Sequence, residues 1–309
     1  MASNGLFESG LRPFKYWTMV AEDKTMAWMN GQSEGFTTGF ASLDKYFRLV
    51  DGEMITIAGR PSMGKTILGV QIAQQIAEKL QADNDDGCVA IFSAEMTGWS
   101  LAHRIAGAMA NISVHKLRMG NGTQAEYESL LAMMQKIRTL PIWIDDGSAP
   151  TTESMMTQLE QLALDIPVRL MVFDFMELGG DRASSEEQRI SSIAIALKDI
   201  AKALNIPVIA ISQINRGVEN RSNKMPALAD LRYSGQIEQI SDVVLFIMRP
   251  EYYIERGMQV DLSSPADREG VAYVSIAKNR HGPPANVRMY FDSEHGKFGD
   301  LAFSKQEMA

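Results

Sequence analysis

Residues 59–66, GRPSMGKT, combine in one short loop the residue types that hold a nucleotide's phosphates. They match the pattern G-x-x-x-x-G-K-[ST], with an apolar run before them and an amphipathic stretch after them. The glycines let the loop wrap with its amide N–H groups inward, the lysine can reach the β- and γ-phosphates, and the threonine can ligate Mg²⁺. The competing interpretation is an incidental glycine turn. The predicted nucleotide-binding residues are Gly59, Arg60, Pro61, Ser62, Met63, Gly64, Lys65 and Thr66.

Three further polar residues stand at or just after the ends of other apolar runs: Glu95, Asp174 and Gln213. Ligands of open α/β sheets gather where strands end, so we expect all three near the loop. Asp174 could hold the metal, Glu95 could take a proton from water, and the Gln213 amide could contact the γ-phosphate. The alternatives are a turn cap for Asp174, a solvent-facing turn glutamate at Glu95, and a loop hydrogen bond for Gln213.

The elements that must position these residues alternate along the chain. Stretches with helical periodicity, such as 65–80, 123–139 and 187–204, lie between short apolar runs at 53–58, 88–94, 142–145, 168–174 and 207–212. Continuous apolar strands separated by helices indicate a parallel sheet covered on both faces. The tail adds β-rich runs at 242–248, 271–277 and 286–291. The predicted fold is α/β, a mostly parallel sheet flanked by helices with a β-rich, partly antiparallel C-terminal extension.

Residues 1–34 differ from the rest of the chain. Phe14, Trp17 and Trp28 recur at roughly helical spacing, and the polar segment NGQSEG follows them. This pattern predicts a helix and linker outside the main sheet, with the nucleotide-binding unit over 35–309. The aromatic face either packs on its own domain or docks on another subunit.

Composition excludes several classes of protein. The 309 residues include one cysteine, Cys88, so no internal disulfide can form, as expected in a reducing cytoplasm; its position in an apolar run predicts a buried core thiol. No apolar stretch approaches the roughly 20 residues that span a bilayer, and the N-terminus lacks the features of an export signal. The net charge of −8 argues against a basic surface for duplex DNA but permits a local basic channel. We expect a cytoplasmic protein without membrane contact.

Six separated segments occur in a recognisable order: GRPSMGKT, FSAEM, LMVFDFMEL, IPVIAISQINRGVENR, LADLRYSGQIEQISDVVLFIMR and IAKNRHG. In sequence and order they resemble the ATPase domain of DnaB-type replicative helicases, and GFTTGFASLDKYF resembles the stretch before the phosphate loop in that family. The resemblance covers roughly residues 35–292. It implies a RecA-like P-loop fold, ATP and Mg²⁺ as cofactors, and a homo-oligomeric ring, usually hexameric, that moves 5′→3′ along single-stranded DNA.

The resemblance also implies roles for individual residues. In the nucleotide site these are the phosphate and metal ligands Lys65 and Thr66, the Walker B carboxylate Asp174, the catalytic base Glu95 and the γ-phosphate sensor Gln213. Lys278 and Arg280, in IAKNRHG, correspond to a cationic pair that reaches a neighbouring subunit's nucleotide. A solvated strand end is the alternative for that pair.

Residues 214–232 form a cationic stretch without a strong secondary-structure pattern. In the related helicases, loops in this region face the central channel and grip single-stranded DNA. The family commonly has Arg-Glu-Ser-Gly where this chain has RYSG at 232–235, so the tyrosine departs from the pattern. The alternative is a flexible surface connection. The predicted DNA-binding residues are Arg216, Arg221, Lys224, Arg232, Tyr233 and Gly235.

Two other departures concern the Walker B segment and the N-terminus. Phe175 and Glu177 stand where the family commonly has tyrosine and glutamine, and Glu177 would put a negative charge near the channel. Full-length members carry an N-terminal helical domain that meets primase, and nothing of that size is present. We therefore expect either a natural short form, such as a phage might encode, or an excised domain from a bacterial or phage-infected cell. Primase or a helicase loader are the possible further partners.

Two alternatives to the helicase remain on the sequence. One is a RecA-like recombination or repair ATPase, which shares the fold and motor. The other is a non-translocating ATPase that uses ATP only to assemble a ring.

Overall fold

The structure is a computed structural model that describes residues 11–231, 234–261 and 265–301. A nine-stranded sheet forms the centre of these residues. The strand order is β3-β2-β4-β5-β1-β6-β7-β8-β9. The strands are β1 (Met54–Gly59), β2 (Cys88–Ser93), β3 (Ile142–Asp145), β4 (Val168–Asp174), β5 (Val208–Gln213), β6 (Val243–Met248), β7 (Val271–Asn279), β8 (Ala285–Asp292) and β9 (Lys297–Asp300).

The first six strands are parallel, and β7, β8 and β9 follow antiparallel to their neighbours. The predicted α/β class and the antiparallel extension are confirmed. β9, a short edge strand that pairs with β8, was not predicted from the sequence.

Helices cover both faces of the sheet. On one face α3 packs Leu68, Ile72 and Ile76, and on the other α8 packs Ile193 and Leu197. Because both faces are covered, the central strands are buried along their whole length and mostly apolar, without an alternation of apolar and polar residues. The helices are α1 (Phe14–Met29), α2 (Ala41–Asp44), α3 (Lys65–Ala82), α4 (Gly98–Ala110), α5 (Val114–Arg118), α6 (Gln124–Ile137), α7 (Thr152–Asp165), α8 (Glu186–Leu204), α9 (Ser234–Ile240) and α10 (Pro250–Ile254).

Cys88 begins β2 and is fully buried, as predicted for a core thiol. Burial raises the pKa of this thiol to about 11, so it stays protonated at neutral pH. Among the described residues, no helix combines the length and the apolar character needed to cross a bilayer.

Helix α1 leaves most of its aromatic face uncovered. None of its residues is buried, and Phe14 is 81% and Trp17 53% exposed. This exposure favours the second interpretation left open by the sequence, docking on another subunit. The boundary after residue 34 itself stays a prediction.

The turn between β1 and α3 holds a fixed shape because its neighbours leave little room. Gly64 has φ 95°, and a Cβ there would lie 3.0 Å from the Phe298 ring and 3.1 Å from the Phe291 ring. Between the glycines, the Met63 side chain is fully buried and anchors the turn to the core. The sheet extension formed by β8 and β9 thus supports the loop from below.

We predict that Gly64→Ala destabilises the protein more than Gly52→Ala does. Both glycines have positive φ, but a Cβ at Gly52 meets nothing within 4 Å. The difference isolates the clash with the two phenylalanine rings and should be about 1–2 kcal/mol in the free energy of unfolding, measured by urea denaturation. Equal losses in the two variants would mean that the rings yield without cost.

Candidate nucleotide-binding site

The carboxyl ends of β1, β4 and β5 meet at one edge of the sheet. Gly59, where the phosphate loop begins, is in register with Gln213, and Asp174 is in register with Ser93 at the end of β2. The predicted residues Glu95, Asp174 and Gln213 are therefore brought to the edge that carries the loop. They gather there because all four strands run in the same direction.

Lys65 is nearly buried at the start of α3 and donates to the Arg60 carbonyl at 3.2 Å. Burial lowers the pKa of its ammonium from the usual value, while the nearby carboxylates of Glu177, Asp174 and Glu95 act in the opposite direction. An ammonium held in a partly dehydrated setting interacts strongly with an added phosphate charge. The geometry suits Lys65 for phosphate binding.

Asp174 ends β4, and its Oδ1 accepts a hydrogen bond from the Thr66 hydroxyl at 3.1 Å. Burial raises the pKa of this carboxyl to about 6, and its Oδ2 is buried without a hydrogen-bond partner in the part of the chain described. The described residues contain no cluster of three or more metal-ligating side chains. Mg²⁺ is usually held by one or two carboxylates together with substrate phosphates, so this donor pair fits Mg²⁺ bound with a nucleotide.

Glu95 lies exposed in the turn after β2. The Ser93 hydroxyl shapes this turn by accepting from the Met96 amide at 3.2 Å and donating to the Met96 carbonyl at 2.8 Å. The Ala94 amide donates to the Asp174 carbonyl at 2.8 Å, which ties the turn to the end of β4. The negative charge of Glu95 contributes to the raised pKa of Asp174, so the two carboxylates are close enough to interact electrostatically.

Glu177 does not face a channel, and the prediction made for it is wrong. Its Oε1 accepts from the main-chain amide of Gln213 and from the Ser212 hydroxyl, both at 2.8 Å, and its Oε2 is buried without a partner among the described residues. Burial raises the pKa of Glu177. The carboxylate turned inward because two donors at the end of β5 lie within its reach, and it joins the end of β4 to Gln213.

Sequence reasoning missed Arg249, the residue directly after β6. Its Nη1 donates to the Ser62 carbonyl at 3.0 Å, its amide donates to Met63 Sδ at 3.4 Å, and its guanidinium lies 3.9 Å from the centre of the Phe291 ring. Arg249 thus holds the phosphate loop against the sheet extension. Its place after an apolar run, which had singled out Glu95 and Gln213, was the available signal.

Lys278 and Arg280 lie at the other edge of the sheet. The Arg280 amide donates to the Asp242 carbonyl, and the Asp242 amide donates to the carbonyl of Met54, the first residue of β1. The phosphate loop starts at the far end of β1, about 16 Å away along the strand at roughly 3.3 Å per residue. The structure does not bring this cationic pair into its own subunit's site.

Both cations contact the carboxyl end of α9. Arg280 donates to Asp242 Oδ1 at 2.9 Å and to the Gln239 carbonyl at 2.7 Å, and 44% of its side chain is exposed. Lys278 Nζ donates to the Glu238 carbonyl at 2.6 Å, and burial lowers the pKa of its ammonium. Lys278 is partly buried, whereas Arg280 is exposed directly after β7, so the alternative of a solvated strand end stays open for Arg280.

The structure corrects the prediction for Lys224. This lysine is buried, and its Nζ donates to the Glu219 carbonyl at 2.7 Å and to the Arg221 carbonyl at 2.6 Å, so it supports its own loop instead of facing a strand of DNA. Arg221 pairs with Asp230, while Arg216 and Gly235 are exposed. Arg232 and Tyr233 lie outside the described residues.

The comparisons with known proteins agree with this geometry. The family model described as the DnaB-like helicase C-terminal domain matches residues 35–300. The chain belongs to this family. The resemblance inferred from the ordered motifs is thereby confirmed.

Relatives of this family domain are replicative helicases. The replicative DNA helicase DnaB of Rickettsia prowazekii is 36% identical over 283 residues, which cover 86% of this chain and 58% of that protein. The replicative DNA helicase DnaC of Bacillus subtilis is 34% identical over 278 residues, covering 88% of this chain and 58% of that protein. The chain thus spans somewhat more than half the length of these relatives.

Solved structures show the same fold. An ATPase domain solved on its own superimposes with a TM-score of 0.81 at 27% identity, covering 95% of this chain and all of that one. A DnaB-like replicative helicase, studied with its interactions with primase, gives a TM-score of 0.79 at 26% identity over 96% of this chain and 68% of that one. A KaiC-like protein from Pyrococcus horikoshii, at 15% identity and a TM-score of 0.58, shares the fold alone. The helicase-family domain is RecA-like, as expected.

The electrostatics of the site predict a pH-dependent stability. A carboxyl whose pKa rises from 3.8 to about 6 on folding binds more protons in the folded state, so its burial costs stability as the pH rises through that interval. We expect Asp174→Asn, measured without nucleotide or Mg²⁺, to raise the free energy of unfolding by about 3 kcal/mol at pH 8. The gain should shrink toward zero near pH 4, and a gain independent of pH would contradict this account.

Proposed function

We propose that this chain is the ATP-hydrolysing motor of a replicative DNA helicase, acting in a homo-hexameric ring that moves 5′→3′ on single-stranded DNA. The observation that carries the proposal is the separation of Arg280 from the phosphate loop of its own subunit by the length of β1. A head-to-tail ring brings one edge of each subunit against the opposite edge of the next. Each nucleotide site would then be complete only between two subunits.

Within one subunit the residues at the loop edge divide the chemistry. Lys65 and the loop amides hold the β- and γ-phosphates, and Thr66 and Asp174 would hold Mg²⁺, which neutralises phosphate charge. Glu95 takes the proton of the attacking water as its oxygen bonds to the γ-phosphorus, and the electron pair of the broken bond leaves with the β-phosphate oxygen. Gln213 senses whether the γ-phosphate is present.

The neighbouring subunit supplies the positive charge that completes the site. An arginine provided in trans contributes about 10³–10⁵ in rate where it has been measured in other NTPases. Arg280 suits this role because it is held by Asp242 yet keeps nearly half of its side chain accessible. Lys278, bound to the same helix end, would stand beside it.

Single-stranded DNA would run along the loops that follow β5. Arg216 and Gly235 are exposed there, and Arg232 and Tyr233 remain proposed contacts in the segment between them. A short cationic loop repeated around a ring would form a positive channel even though each subunit is acidic overall, with a net charge of −8. A primase or helicase loader as further partner, and the cytoplasm of a bacterial or phage-infected cell as location, belong to the same proposal.

A mixing experiment tests whether the site is shared. We expect Lys65→Ala to lose ATP hydrolysis together with tight nucleotide binding, and Arg280→Ala to lose about 10³ in hydrolysis while it still binds nucleotide. Mixing the two inactive variants should restore hydrolysis, because some interfaces then join an intact loop to an intact Arg280. Unchanged hydrolysis in Arg280→Ala, or no recovery on mixing, would argue against a shared site.

A matched control and two DNA assays complete the test. Arg256→Ala removes an exposed arginine that stacks on its own Tyr252 at 3.6 Å, and it should leave hydrolysis unchanged. Unwinding of a forked duplex with a 5′ tail separates a helicase from a recombination ATPase. Hydrolysis that single-stranded DNA does not stimulate would point to the ring-assembly ATPase instead.

The exposed face of α1 gives the ring a second contact. We propose that Phe14 and Trp17 dock on the adjacent subunit, because such large apolar side chains are seldom left together in water. The double change Phe14→Ser and Trp17→Ser should raise the protein concentration needed for assembly at least about tenfold, measured by light scattering on a sizing column. Leu164→Ser, at an equally exposed apolar residue of α7, is the control and should assemble normally.

A further inference from the structure

The Arg60 side chain leaves the phosphate loop and grips the segment after β5. It is buried although it belongs to a surface turn, and its Nε donates to Glu219 Oε1 at 2.7 Å. Its Nη1 donates to the Ile214 carbonyl at 3.2 Å. One guanidinium therefore holds the first residue after Gln213 and a carboxylate five residues further on.

Residues 214–231, the loop that Arg60 binds, are joined to one another by their own contacts. Ile214 forms a β-bridge with Leu231, and Val218 is fully buried beneath the turn that carries Glu219. Lys224 donates to the carbonyls of Glu219 and Arg221. Displacing Glu219 therefore displaces loop 214–231 as a whole rather than one side chain.

The other end of Arg60 touches the phosphate-binding lysine. The Arg60 carbonyl accepts from Lys65 Nζ at 3.2 Å, so the residue joins the ammonium on its main-chain side and loop 214–231 on its side-chain side. A γ-phosphate that takes hydrogen bonds from Lys65 competes with this carbonyl. A γ-phosphate bound at Lys65 would thus first affect Arg60, the residue that holds loop 214–231.

We propose that Arg60 is a positioning residue that couples the phosphate loop to loop 214–231 through the Arg60–Glu219 ion pair. The inference rests on the proposed function, because it assigns the coupling between ATP and the loop that would contact DNA. Phosphate binding needs only the main-chain amide of residue 60, so the Arg60 guanidinium is available to bind loop 214–231. Since the pair is largely shielded from solvent, its loss is felt more strongly than that of an exposed pair.

The test removes the pair from the side of Glu219, which touches neither nucleotide nor metal. We expect Glu219→Gln to keep basal hydrolysis within about twofold and to reduce its stimulation by single-stranded DNA at least about fivefold, the lower range of coupling between sites. Glu219→Ala, which leaves Arg60 Nε without that acceptor, should reduce stimulation further. The same ion pair would couple the binding of the two ligands, so an ATP analogue should improve DNA affinity less in both variants than in the parent protein, and DNA should improve affinity for the analogue by the same smaller factor.

Asp85→Asn serves as the matched control. It removes a carboxylate from the Arg169–Asp85 ion pair, which joins the turn after α3 to the start of β4, away from both loops. Stimulation should be unchanged in this variant, and the melting temperature of every variant separates loss of coupling from loss of fold. Should Glu219→Ala prove unstable, the isosteric Glu219→Gln decides.

The outcomes distinguish this inference from the function on which it rests. If DNA fails to stimulate the parent protein, the helicase proposal itself fails. If DNA stimulates the parent protein and both Glu219 variants equally, the helicase proposal stands and the coupling through Arg60 is refuted.

Discussion

The direction of the strands in a single sheet determines which groups can meet. Because β1, β4 and β5 run parallel, their following residues converge at one edge, and Lys65, Asp174 and Gln213 are neighbours there. The reversal between β6 and β7 carries Arg280 back to the opposite edge. A subunit built in this way cannot neutralise its own site with that arginine. The separation comes from topology, and no local rearrangement of side chains would remove it.

The electrostatics at the loop edge oppose stability in the free protein. Burial raises the pKa values of Asp174 and Glu177 and lowers that of Lys65, so each group is less favourable in its charged form. Both carboxylates also keep one buried oxygen without a partner among the described residues. Perturbed titratable groups of this kind cluster where ligands bind, because the ligand supplies the missing interactions. A nucleotide with its metal ion would offset the cost that the fold alone leaves.

The sequence predicted the architecture well and the side-chain directions poorly. The eight predicted apolar runs became strands with ends shifted by at most two residues, since uninterrupted apolar segments bounded by polar turns have few other solutions. β9 escaped because KFGD at 297–300 offers one large apolar side chain and no pattern. The predictions for Lys224 and Glu177 were wrong because a charged side chain faces solvent only when no internal hydrogen-bond partner is within reach. Main-chain carbonyls bind the Lys224 ammonium, and the main-chain amide of Gln213 and the Ser212 hydroxyl bind the Glu177 carboxylate.

The phosphate loop is held by different kinds of contact on its two sides. On one side Arg249 binds the Ser62 carbonyl and stacks on Phe291 of the sheet extension, and Gly59 lies close against the Ile247 carbonyl. Those partners belong to paired strands, which resist displacement. On the other side Arg60 reaches loop 214–231, which forms no strand of the sheet. A change at Lys65 would therefore be resisted by the sheet and passed to the loop, as the proposed motor function requires.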